Sequence, residues 1–134
     1  MGITFVSVKV INPKNDKSGL FKFLVDSGAV YSVIPESDLK KMGIKPTSSE
    51  SFILANGEII KMPVGNACFE YKGKLRAAPV IFGDKDIYLL GATTLEALGL
   101  ILDPIHRKLK PLPMLLMQIS RVTGKTSLKN LLGE

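Results

Sequence analysis

Three features of the sequence predict a mainly β fold with one or two short helices. The apolar stretches are brief and rich in Val, Ile, Phe and Tyr, and Gly, Pro, Asn and Asp punctuate them at short intervals. The pair Asn56-Gly57 lies between two such stretches, the strongest short-range signal for a β-hairpin. Only two segments carry helix punctuation, one running from Pro35 to Gly43 and the other from Thr93 to Gly99. At 134 residues, 46% hydrophobic and 22% charged, the chain is sized for one domain with a core of its own.

In order along the chain, residues 3–10 alternate, Asn12-Pro13-Lys14-Asn15-Asp16 supplies a turn, and residues 20–25 resume the apolar pattern, so the chain opens with a β-hairpin. Asp26-Ser27-Gly28-Ala29 interrupts the second strand, and Tyr31-Ser32-Val33-Ile34 is strand-like again. One or two turns of helix follow over residues 35–42. Residues 51–54 and 58–62 flank Ala55-Asn56-Gly57, where a type I′ turn is expected because both of its central residues need positive φ. Residues 64–71 and 74–82 read as strands joined at Lys72-Gly73, and Ile87-Tyr88-Leu89-Leu90 as a short strand suited to a buried place in a sheet. Thr93-Thr94-Leu95-Glu96 has the spacing of a capping box and opens a helix that ends at Gly99. Leu100-Ile101-Leu102 is extended, Asp103-Pro104 turns, and residues 108–112 form a last strand.

The net charge of +6 is uneven: residues 1–103 hold 12 Lys and Arg against 11 Asp and Glu, whereas residues 104–134 hold 6 against 1. The chain thus divides into a nearly neutral domain over residues 1–112 and a basic C-terminal tail over 113–134, to which no role is assigned. A neutral body with 7% aromatics lacks the phosphate-tracking and base-stacking pattern of a nucleic-acid binder, and no nucleic-acid partner is expected. No apolar run approaches the ~18 residues of a membrane span, and no membrane partner is expected. One cysteine, Cys68, and one histidine, His106, assemble neither a disulfide nor a zinc site, which fits a reducing cytoplasm. Gly124-Lys125-Thr126 lacks the earlier glycine of a phosphate-binding loop, because that position holds Ile119. Asp84, Asp86 and Asp103 fall in turns and read as solvated, and Cys68 reads as a small core residue.

The informative segment is Phe23-Leu24-Val25-Asp26-Ser27-Gly28-Ala29, an acid directly after apolar strand residues. An ionised carboxylate at the end of a core strand is costly unless donors, a partner or a proton accompany it. Gly28 lets the backbone turn tightly and lets another chain approach, and Ser27 can satisfy nearby backbone groups. In isolation, Asp-Ser-Gly is ordinarily an Asx turn that caps its own amides. Here it lies between apolar strands, and a second apolar-apolar-Gly element, Leu89-Leu90-Gly91, follows with a helix behind it.

Val25-Asp26-Ser27-Gly28-Ala29 with Ser32 and Ile34, the Asn56-Gly57 hairpin, and Leu89-Leu90-Gly91 before Leu95-Glu96-Ala97-Leu98-Gly99 resemble the retropepsin-like (clan AA) aspartic proteases, in their small single-domain prokaryotic branch. The resemblance spans about residues 3–112. It implies an acid-protease barrel with a flap hairpin, closed by homodimerisation. It also implies that Asp26 is the catalytic carboxylate, that Ser27, Gly28 and Ala29 support the catalytic loop, Ser27 by bracing it across to the other loop, and that Gly28 contacts the bound peptide through its backbone. Ile53, Leu54, Ala55, Asn56 and Gly57 would form the flap tip over the substrate, with Ala29, Ile53, Val80 and Ile81 near its pockets. Leu89, Leu90 and Gly91 would thread past the catalytic loop in the family's ψ-shaped crossing.

Such a reaction uses two carboxylates, and the sequence holds one Asp-Ser-Gly. A two-fold axis beside Asp26 supplies the other, since an isologous interface sets identical groups face to face. Two carboxylates about 3 Å apart share one proton, so one can act as base on a water while the other donates to the scissile carbonyl. The expected partners are a second copy of the chain and a peptide or protein substrate, and no metal or organic cofactor is required. Two readings from other classes stand beside this one: a non-catalytic peptide-binding or dimerisation module of the same fold, and a basic nucleic-acid-binding protein.

Overall fold

The computed structural model describes residues 3–112. Strands β1 (Phe5–Ile11) and β2 (Ser18–Val25) form the opening hairpin, followed by β3 (Ser32–Pro35) and helix α1 (Glu36–Lys41). Next come β4 (Ser48–Ile53), β5 (Ile59–Tyr71), β6 (Lys74–Gly83) and β7 (Leu89–Leu90). Helix α2 (Ala92–Ala97) and a last hairpin of β8 (Leu100–Asp103) and β9 (Lys108–Pro111) complete the order. The fold is mainly β with two short helices, as the sequence predicts.

Seven strands make one sheet in the order β1-β2-β7-β3-β6-β5-β4, and an added β1–β5 pairing closes it on itself. The closure lies within one chain, at Lys9–Glu70, Val10–Phe69 and Ile11–Cys68. A second copy is therefore not needed to complete the barrel wall. Val8, Val10, Phe23, Ile34, Phe69, Val80 and Leu90 fill the interior without measurable exposure, each burial contributing about 1.5–3 kcal/mol. β4 hangs on the edge of the barrel, paired only to β5, so the β4–β5 hairpin projects from it.

Several local expectations differ from the structure. β5 is one continuous 13-residue strand, where the sequence suggests two pieces separated by Pro63. Its first half pairs with β4 and its second with β6, the two overlapping at Val64, so the proline falls next to the changeover. The β4–β5 turn is not type I′, because among its residues only Gly57 has positive φ, at 87°. Gly57 donates its amide to the Leu54 carbonyl (2.9 Å) and Asn56 Oδ1 accepts from the Glu58 amide (2.9 Å), the pattern of a three-residue loop ending in a left-handed glycine. The two-residue turn with both φ values positive occurs instead at Lys72-Gly73 (49° and 82°). β7 is only Leu89–Leu90, and Ile87 before it is exposed.

The Thr93–Glu96 capping box does not form: the N-cap is Gly91, two residues before Thr93, so α2 starts at Ala92 with no side-chain cap. Asp103 is not a solvated turn residue. Its Oδ1 accepts from the amides of Ile105 and His106 (3.1 Å each) and its Oδ2 meets His106 Nδ1 at 2.8 Å, which pins the β8–β9 turn. The tail proposed for residues 113–134 lies outside the described residues.

Candidate active site

Asp26 stands at the C-terminal end of β2, where two neighbouring segments fix the backbone. The Leu24 amide donates to the Tyr88 carbonyl, the Val25 amide to Thr4 and the Asp26 amide to Leu90, at 2.9–3.0 Å. β2 and β7 run parallel here, with Leu24 opposite Leu89 and Val25 opposite Leu90, while β7 pairs antiparallel with β3 on its other side. Leu89 and Leu90 are thus threaded between the strand entering the loop and the strand leaving it. This is the ψ-shaped crossing.

The loop itself is tied to α2. The Ala92 amide donates to the Ala29 carbonyl (2.8 Å) and the Thr93 amide to the Val30 carbonyl (3.0 Å). These are first-turn amides that a helix leaves without intrahelical partners, and carbonyls of the Asp26 loop satisfy them; of the two, only the Thr93 amide belongs to the expected capping box. Ser32 and Thr94, both fully buried, share a hydrogen bond at 2.6 Å, and Ser32 Oγ accepts the Gly91 amide at 3.0 Å. Gly91 is required by contact: a Cβ there would lie 2.6 Å from the carbonyl carbon and oxygen of Tyr31.

Within this frame the Asp26 carboxylate is half-buried, and its Oδ1 accepts the Gly28 amide at 3.0 Å. Among the described residues it has no other hydrogen-bond partner and no cation at ion-pair distance. The local Asx turn expected of an isolated Asp-Ser-Gly is therefore present, and it leaves the other carboxylate oxygen uncommitted. Ser27 and Gly28 are exposed and Ala29 half-buried.

Of the residues expected to form a flap, Ile53 is 77% exposed, and Leu54, Ala55, Asn56 and Gly57 are also exposed at the hairpin end. Val80, expected near a pocket, is instead fully buried in the core opposite Ser32, while Ile81 is half-buried. Two clefts, of about 430 and 240 Å³, lie elsewhere: one at Asn12, Lys14 and Gly43–Thr47, the other at Tyr71 and Leu98–Leu100. Neither wall contains an acid, so neither competes with Asp26 for the chemistry. Among the described residues no group of three or more His, Cys, Asp or Glu side chains could hold a metal ion.

Two contacts escaped the sequence reading. Thr94 was legible only as part of a helix start, yet it anchors Ser32 beneath the crossing. Tyr31 packs edge-on against Phe52 of β4 (5.9 Å between centroids) and donates a long hydrogen bond to Glu50 Oε1 (3.4 Å), joining the exit of the Asp26 loop to the projecting hairpin. A buried hydroxyl in an apolar strand is the one signal that points to Ser32; nothing local in the sequence pairs Tyr31 with residues some twenty positions away.

Comparison with known proteins agrees with this geometry. The solution structure of simian foamy virus (mac) protease superposes with a TM-score of 0.51 at 20% identity, covering 69% of this chain and 92% of that one. The EIAV protease complexed with the inhibitor HBY-793 gives a TM-score of 0.55 at 18% identity, covering 76% and 93%. At these identities the likeness is one of fold, here that of retroviral proteases. No curated protein matches the sequence. A family model described as "Aspartyl protease" matches residues 6–94, a span that holds the Asp26 loop, the β4–β5 hairpin and the crossing at Leu89-Leu90-Gly91. The chain belongs to the aspartyl protease family.

Proposed function

We propose that this chain is an aspartic endopeptidase that works as a homodimer in the cytoplasm, with Asp26 of each subunit forming the catalytic pair. The observation that carries the reading is the state of Asp26. It is the one Asp-Ser-Gly acid of the chain, its loop is anchored on both sides of the crossing, and one oxygen is left without a partner among the described residues. A rigidly presented carboxylate with spare acceptor capacity is what a second copy related by a two-fold axis would complete.

In the dimer one Asp26 is ionised and draws a proton from a water lying between the subunits. The other is protonated and donates to the carbonyl oxygen of the scissile bond. Collapse of the tetrahedral intermediate reverses these roles and protonates the leaving nitrogen, and the pair titrates as a unit. Ser27 and Gly28 are exposed, which leaves Ser27 free to bond across to the partner's loop and Gly28 free to meet an extended peptide through its backbone. The β4–β5 hairpin closes over that peptide, and water exclusion is its contribution.

A peptide-library digest from acidic to neutral pH tests the reading. Wild type is expected to cleave, and Asp26→Asn, which keeps size and shape, to lose at least about 10³-fold in rate while retaining the same melting temperature within a few degrees. Cleavage that survives the substitution refutes the mechanism. Peptide binding without cleavage in the wild type would favour the non-catalytic module.

A further inference from the structure

We infer that Glu50 selects substrates carrying a lysine or arginine beside the scissile bond; this deepens the proposed function and rests on it. From Ser49 onward β4 alternates: Glu50 and Phe52 are half-buried, whereas Ser49, Ser51 and Ile53 are exposed. Glu50 and Phe52 therefore share one face, and their cross-strand partners on β5, Met62 and Ile60, are half-buried on it as well. This face is the inner one, because Tyr31, five residues after Asp26, packs its ring on Phe52. The wall between the Asp26 loop and the hairpin is thus Tyr31, Phe52, Ile60 and Met62 with a single acid, Glu50.

Among the described residues that acid lacks a counter-charge. Its two oxygens have only long hydrogen bonds, from the Tyr31 hydroxyl to Oε1 and from the Ser48 hydroxyl to Oε2, both 3.4 Å. Among the described residues no Lys, Arg or His nitrogen forms an ion pair with it. A carboxylate half-withdrawn from water among apolar side chains gains most from a cation, and closure of the hairpin would strengthen that gain by removing more water. An extended peptide sends alternate side chains to the same face, so on each side of the scissile bond one residue is directed at the wall of one subunit. A Lys or Arg there lays its aliphatic stem along Phe52 and Met62 and brings its charged end to Glu50.

The test is a degenerate decapeptide library digested by wild type, Glu50→Gln and Glu50→Lys, with residue frequencies around each cut read by mass spectrometry. The wild type is expected to enrich Lys and Arg by about fivefold or more at a matched position on either side of the cut, because the two-fold axis gives each half of the peptide its own Glu50. Glu50→Gln should flatten that preference while still cutting, and Glu50→Lys should transfer it to Asp and Glu. Loss of a merely structural hydrogen bond with Tyr31 would not reverse a charge preference. An unchanged preference in Glu50→Gln, or none in the wild type, overturns the proposal. Should wild type cut nothing, the protease reading fails separately. The same question is then put to binding of decapeptides bearing Arg, Ala or Glu at each position to the Asp26→Asn protein. Tighter binding of one Arg series supports the role of Glu50, and equal binding refutes it.

Discussion

A methyl group at position 91 would meet main-chain atoms of Tyr31 that cannot step aside without moving the Asp26 loop, because Ala29 and Val30 next to them are already bonded to α2. Gly91→Ala is therefore expected to cost about 1–3 kcal/mol, read as a lowered urea midpoint at unchanged slope, and to reduce any Asp26-dependent activity further than the stability loss alone explains. A ΔΔG below about 0.5 kcal/mol would mean that the crossing is looser than its contacts indicate. The glycine was visible in the sequence, as the end of an apolar-apolar-Gly element, and so was Asp26. What made both legible is that each breaks a local rule, an acid or a glycine placed against a core strand. Thr94 and Tyr31 break none; their partners lie 62 and 19 residues away in sequence, and only the folded chain brings them together.

Elements were legible where side-chain alternation and turn residues agree, and less so where one of them is ambiguous. Asn56-Gly57 marked the projecting hairpin correctly but not its turn, since Asn tolerates either sign of φ and the neighbouring geometry chose the negative one. The capping-box spacing at Thr93–Glu96 lost to the loop: the Val30 carbonyl takes the Thr93 amide that the Glu96 side chain would have capped, and the helix begins ahead of Thr93. The β8–β9 hairpin was read from the pattern, yet its turn depends on Asp103, whose carboxyl is held at about 2, from 3.8, chiefly by its hydrogen bond to the His106 side chain and next by the His106 amide. A depressed acid stabilises the fold above its unfolded value and loses that contribution as pH falls through the folded one. Wild type is thus expected to lose an increment of stability between about pH 4 and pH 2 that Asp103→Asn does not lose. Denaturant midpoints measured at steps across that range, for both proteins, check it. Parallel curves would show that the turn does not depend on the ionised carboxylate.

For the molecule as a whole, the barrel closes within one chain while the proposed chemistry needs two, so folding and activity should separate with concentration. Ile3, Phe5 and Val30 are 65%, 52% and 61% exposed, and they flank Asp26: Thr4 between the first two accepts the Val25 amide, and Val30 leaves the loop. Apolar side chains left in water around a half-complete site are the surface a second copy would cover, and a stable interface needs about 800 Å² from each partner. Subunit mixing tests the pairing directly. Wild-type subunits equilibrated with an equal amount of Asp26→Asn should retain about half of their original activity, because random pairing leaves half of them facing an inactive partner and a one-carboxylate dimer is inert. Added excess of Asp26→Asn should drive the activity toward zero. Activity that stays proportional to wild-type content at every ratio would mean that each Asp26 works alone, and a folded, concentration-independent monomer by sedimentation would agree with it. A total activity that falls as the square of the wild-type fraction when total subunit concentration is held fixed, together with unchanged circular dichroism on dilution, is the outcome expected of a barrel that is complete by itself and a site that is not.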